Sequence, residues 1–150
     1  MTQLLSPFRQ LRYPALLGLL LAFSLSFSSC SRILQDQVSL DKLSMLKTTA
    51  SGLINKAAEP YDDHKAEVEQ LKTDMNDQIA YEKEKGKKNT KMVEMLQLLM
   101  KPDGNLLGGF LERWKNKGKM NPAMATEVSK IVSDNFDQII NLEKSKPTGN

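Results

Sequence analysis

The sequence predicts an all-α protein, a small bundle of about four to five helices with a long helical hairpin, preceded by a cleaved signal peptide. Three observations lead there. From residue 40 onward apolar side chains recur at spacings of three and four, the period of a helix face. Pro, Gly and Asn fall at the ends of those periodic stretches, where helices start and stop. No segment alternates apolar and polar residues in the manner of a half-buried strand.

The first 29 residues form the amino-terminal segment. Arg9 and Arg12 precede an apolar run over residues 15–27, which is 13 residues long. A helix that crosses the hydrocarbon core needs about 20 such residues, whereas the apolar region of a secretory signal needs about 7–15. Phe27-Ser28-Ser29-Cys30 then places an apolar residue, two small residues and a cysteine in order. This motif resembles the lipobox of bacterial lipoproteins, with Phe27 where Leu is usual. The resemblance covers residues 1–31. It implies that residues 1–29 are removed and that Cys30 becomes the first mature residue, carrying thioether-linked diacylglycerol and an amide-linked acyl chain. The alternative is an ordinary signal cut after a small residue such as Ser28, which leaves Cys30 as a lone thiol in an oxidising compartment. In the family's sorting convention, Ser31 after the cysteine implies the outer membrane, facing the periplasm.

Residues 30–38 are expected to serve as lipidated cysteine and tether, and residues 39–145 as the helical domain. Leu40, Leu43, Leu46, Ala50, Leu53, Ile54 and Ala57 form one face of a first helix, which Glu59-Pro60 ends because a residue preceding Pro disfavours the α conformation. Pro60 suits the first turn of a second helix, with Asp62 and Asp63 at its positive end. The seam of that helix is Tyr61, His64, Val68, Leu71, Met75, Gln78/Ile79 and Glu82, over a length of roughly 36 Å. So narrow a seam suits a hairpin arm, and the polar Gln78 and Glu82 weaken a coiled-coil reading. Gly86 and its lysines stop the helix.

A third helix after Asn89 is apolar around most of its circumference (Met92, Val93, Met95, Leu96, Leu98, Leu99, Met100), so it is expected to be the most buried element. Pro102-Asp103-Gly104-Asn105 is a turn, and a fourth helix with Leu107, Phe110, Leu111 and Trp114 ends at Gly118. Asn121-Pro122 is a cap and first-turn pair for a fifth helix through Met124, Val128, Ile131, Val132, Phe136, Ile139, Ile140 and Leu142. Residues 146–150 are expected to be a disordered tail.

Composition narrows the function classes. The net charge is +3, with 21 basic and 18 acidic side chains. Two of those basic residues, Arg9 and Arg12, belong to the amino-terminal segment, so the rest is nearly neutral. Nucleic acid is not the expected partner. One Cys and one His cannot supply a zinc cage, and no metal is expected. Among the residues from Cys30 on, Leu, Ile, Val and Phe are few, so the core is expected to draw on methionine.

Catalytic motifs are absent: there is no Gly-x-Ser-x-Gly and no His-Glu-x-x-His. His64 is expected to fill the seam with one nitrogen on a carboxylate or water. Met92-x-x-Met95 and Met120-x-x-x-Met124 have thioethers suited to Cu(I), but core packing accounts for them better. Lysines around Gly86, and Arg113, Lys115, Lys117 and Lys119 around Trp114, read as solvated helix ends that could also meet anionic headgroups. Leu106-Leu107-Gly108-Gly109-Phe110 suggests an apolar contact loop. The candidate partner contact is therefore Leu107, Gly108, Gly109, Phe110, Arg113, Trp114 and Lys117. The expected function is that of a lipid-anchored cell-envelope protein, a non-catalytic protein-binding or assembly component whose partner is another envelope protein. The alternative is a periplasmic carrier of a lipid or other small hydrophobic ligand. No cofactor is implied beyond the covalent lipid on Cys30.

Overall fold

A computed structural model describes residues 33–149; the expected signal segment 1–29, Cys30 and its immediate flank lie outside the described residues. The described chain is all-α. Its helices are α1 (Gln37–Asn55), α2 (Tyr61–Glu84), α3 (Thr90–Leu99), α4 (Leu107–Lys117) and α5 (Pro122–Lys144), with a single 3-10 turn at Lys87–Asn89 before α3. No helix among the described residues is long and apolar enough to cross a membrane.

Each helix starts and stops where local chemistry directs it. The Asp36 side chain accepts the backbone N–H groups of Val38 (2.9 Å) and Ser39 (3.4 Å), which α1 otherwise leaves without partners. The helix ends at Asn55, four residues short of the expected Glu59, and hydrogen-bonded turns fill the interval up to Pro60. Pro60 is the residue before α2 and not part of its first turn, while Asp62 and Asp63 sit in that turn as expected. Gly86 (φ +87°) and Gly118 (φ +75°) adopt the left-handed conformations that stop α2 and α4. Asn121 caps α5 by accepting the Ala123 N–H (2.8 Å), and Pro122 occupies its first turn.

Packing follows the apolar stripes. The expected α2 seam is the buried face of that helix: Tyr61, His64, Val68, Leu71, Met75, Gln78, Ile79 and Glu82. The α1 stripe (Leu43, Leu46, Ala50, Leu53, Ile54) meets Val132, Phe136, Ile139 and Ile140 of α5 in one core, and the α1–α5 pairing is the most extensive in the molecule. It is antiparallel, with Asp36 bonded to Glu143 near one end and Lys47 on Asp137 (2.6 Å) further along. α2 also runs antiparallel to α1, from the Lys56–Glu67 pair (2.9 Å) to Ser39 against Gln78. α1 thus lies between two antiparallel partners. At about 1.5–3 kcal/mol for each large apolar side chain removed from water, this shared core is the main stabilising term.

Three expectations need correction. α3 is amphipathic: Met92, Val93, Leu96 and Leu99 are buried, but Leu98 is 58% exposed, because α2 and α5 cover one side of the helix only. The core does draw on Met75, Met92 and Met120, with Met95 and Met100 packed against it, but Met124 and Ile131 of the expected α5 stripe face solvent, as does Met45. The chain ends are also tied down further than expected. The Gln35 N–H donates to the Pro147 carbonyl (2.8 Å), and Lys146 donates to Asn89 Oδ1 (2.8 Å), so the lead-in before α1 and the start of the tail hold each other.

Candidate functional site

Helix α4 and the turn before it carry the contact residues expected from sequence, and most of them lie inside the bundle. Leu107, Phe110 and Trp114 have no exposed surface, and Gly108 and Gly109 are buried. The glycines are there for close backbone approach. A Cβ on Gly108 would lie 2.1 Å from the Met100 carbonyl oxygen, and one on Gly109 would lie 1.8 Å from the Gly104 carbonyl oxygen. The turn over residues 100–106 folds directly onto the first turn of α4, which only glycine permits. Arg113 is half-buried and donates to the Gly104 carbonyl (3.0 Å), while Lys117 is exposed. A partner approaching the folded domain meets Lys117 and part of Arg113, but none of the other five residues.

Trp114 joins this helix to the far end of the bundle. Its indole N–H donates to the Glu59 carbonyl (3.1 Å), and its ring meets Tyr61 edge-on at 5.5 Å and His64 at 5.7 Å. His64 is buried with Nε2 2.7 Å from Glu59 Oε2 and Nδ1 3.4 Å from Glu67 Oε2. One imidazole nitrogen, Nε2, therefore sits on a carboxylate, as expected, while Nδ1 makes no hydrogen bond. Hydrogen bonding from Lys56 is the main force holding the Glu67 carboxyl below its ordinary range. At the same end the connections clasp each other, Met120 N–H to the Ala57 carbonyl and Tyr61 N–H to the Gly118 carbonyl (2.7 Å each).

The opposite end holds a buried polar cluster. Glu82 has no exposed surface, although it lies in the apolar seam of α2. It accepts from the Ser39 hydroxyl, the Gln78 amide (2.7 Å), the Asn89 amide (2.5 Å) and Lys85 (3.0 Å). Glu143 is likewise fully buried and accepts from the Asp36 N–H (2.8 Å) and from Lys146. Asp36 accepts from the Tyr81 hydroxyl (2.5 Å) and pairs with Lys85 (2.9 Å). Burial opposes its ionisation, but the hydrogen bonds from Tyr81 and Lys85 outweigh that and hold its pKa at about 2. Burial likewise opposes the charge on Lys85, and its bonds to Asp36 and Glu82 raise its pKa despite that. Each buried charge thus has an opposite charge and further hydrogen bonds, which a buried ion needs. Among the described residues no group of three or more His, Cys, Asp or Glu could hold a metal ion.

Sequence reasoning passed over this cluster, although acids inside an otherwise apolar seam were the available signal. It also passed over a groove of about 520 Å³ between the carboxy-terminal half of α1 and the amino-terminal half of α2. Gly52, Leu53, Ala66 and Leu71 line it, with Lys56 and Glu67 among the polar residues at its margin. Gly52 opens it, for a Cβ placed there would touch nothing within 4 Å. The chain matches no known protein family, no curated protein and no solved structure.

Proposed function

We propose that this chain is a cell-envelope lipoprotein, acylated on Cys30, and that its helical domain is a non-catalytic binding or assembly component. The localisation rests on the order of charge, apolar run, small residues and cysteine over residues 9–30. Two or more acyl chains on one residue suffice for stable membrane attachment, and Ser31 favours the outer membrane.

The observation that carries the binding role is the α1–α2 groove. It is walled by two helices, floored by apolar side chains and left unfilled by the chain itself. Its occupant in this reading is an apolar helical segment of another envelope protein. Such a segment presses apolar residues between the two walls while its backbone satisfies its own hydrogen bonds. The partner contact thus moves from α4, whose apolar residues are buried, to the face formed by α1 and α2.

A photo-crosslinking residue at Thr49, on the groove, is expected to capture one envelope protein in the native cell. The same residue at Met124 is expected not to. Gly52→Trp fills the groove and should abolish the Thr49 capture while leaving urea stability close to wild type. Capture that persists in Gly52→Trp overturns the assignment of the groove. A lipid that co-purifies with the wild-type chain in native mass spectrometry, and is lost in Gly52→Trp, replaces it with the carrier reading. Cys30→Ala should abolish lipid labelling and release the protein from membranes.

A further inference from the structure

The end of the bundle where the described chain begins combines exposed apolar side chains with exposed lysines. Leu34 is 49% exposed, Val38 65% and Tyr81 37%, three of the seven exposed large apolar residues among the described residues. A shallow depression of about 480 Å³ runs between Leu34 and Tyr81, lined also by Ile33 and Lys85 and by the acidic Asp36 and Glu84. Lys83 in the last turn of α2, Lys87 just beyond it and Lys144 in the last turn of α5 are exposed at this end of the bundle, against exposed Glu84 and Asp41. The surface is fixed in shape, since Gln35 is bonded to Pro147 and Asp36 to Glu143 and Tyr81.

We infer that this end, with Leu34, Val38, Tyr81, Lys83, Lys87 and Lys144, seats on the headgroup layer of an anionic bilayer. The inference rests on acylation of Cys30, as proposed above. Three peptide steps separate Cys30 from Ile33, so a lipid on Cys30 leaves the first described residue at most about 11 Å of extended chain. A tether that short brings this end of the domain to the membrane surface. Its composition suits that place: Tyr favours the interface, apolar side chains enter between headgroups, and lysines reach lipid phosphates. Next to an anionic leaflet each lysine raises the ratio of seated to free domain by about fivefold. The opposite end, with the α1–α2 groove, would then face away from the membrane toward a partner.

The test uses the full chain, purified as the lipoprotein and reconstituted into vesicles of phosphatidylcholine with or without phosphatidylglycerol. An environment-sensitive fluorophore is attached at Val38→Cys or, as the distal comparison, at Met124→Cys. The Val38 label is expected to shift to the blue and to become protected from an aqueous quencher in the vesicles that contain phosphatidylglycerol. The Met124 label is expected to stay aqueous. Lys83→Ala, Lys87→Ala and Lys144→Ala together should return the Val38 label to water, as should high salt. A protein that stays on the vesicles while its Val38 label remains aqueous overturns the inference and leaves the anchor standing. Equal protection of both labels overturns the proposed orientation. A protein not held by the vesicles, with an intact mass that lacks acyl chains, overturns the anchor and this inference with it.

Discussion

The backbone N–H of Asp36 donates to the Glu143 carboxylate at 2.8 Å, joining residues 107 positions apart at one end of the bundle. Glu143 has no exposed surface and also accepts from Lys146, so one acid fixes both the entry to α1 and the exit from α5. Glu143→Ala leaves the part-buried Asp36 N–H without its acceptor and removes the opposite charge from the mostly buried Lys146 ammonium, which keeps only its bond to Asn89. We expect it to cost about 3 kcal/mol in urea unfolding. Glu143→Gln keeps an acceptor for Asp36 and should cost about half of that.

Asp36 makes the same end sensitive to acid. Its pKa lies near 2 in the folded protein against 3.8 ordinarily. A group whose folded pKa is depressed adds stability above its unfolded pKa and loses it as pH falls through the folded one. The contribution is therefore complete above about pH 4 and gone near pH 2. Allowing for partial exposure, it amounts to about 1–2 kcal/mol. Asp36→Asn retains a side-chain oxygen to cap α1 but does not titrate. Urea midpoints taken from pH 5 to 2 should therefore fall less steeply for this variant than for wild type.

Two glycines in helices are expected to respond in opposite directions. Gly109→Ala drives a methyl group into the Gly104 carbonyl, backbone against backbone, and should cost about 3 kcal/mol or more. Gly52 lies inside α1 with open space around it, so Gly52→Ala gains helix propensity and should add up to about 1 kcal/mol. Thermal or urea unfolding reads both signs. A neutral Gly109→Ala would show that the 100–106 turn can lift off α4.

The α2 seam was legible because a three-and-four spacing maps directly onto one helix face, and the ends of α4 and α5 because Gly118 and Asn121-Pro122 act locally. What went unread depended on tertiary placement. Leu107-Gly108-Gly109-Phe110 looks like a surface loop in one dimension, since nothing local reveals that the Met100 and Gly104 carbonyls lie against it. The apolar girth of α3 does not tell how many neighbours it has, and Leu98 ends in solvent. Glu82 and Glu143 carry the residue type of a solvated face. Their burial depends on donors from Ser39, Gln78, Asn89, Asp36 and Lys146, and two of these, Ser39 and Asp36, are distant in sequence. The α1–α2 groove is a gap between two stripes, and stripes are what periodicity reports.

Trp114 separates a contact role from a packing role. It has no exposed surface, bonds to the Glu59 carbonyl and lies edge-on to Tyr61, so it closes the end of the bundle from within. Trp114→Ala opens a large cavity and should cost about 3–5 kcal/mol. Any loss of partner capture in that variant should track the fraction unfolded. Trp114→Phe keeps most of the ring volume but gives up the hydrogen bond to Glu59, at a cost of about 1–2 kcal/mol. It should capture as well as wild type where both are folded. Measured together, the urea midpoint and the Thr49 crosslinking yield distinguish the two roles. A Trp114→Phe protein that keeps its midpoint but loses capture would return the contact to α4.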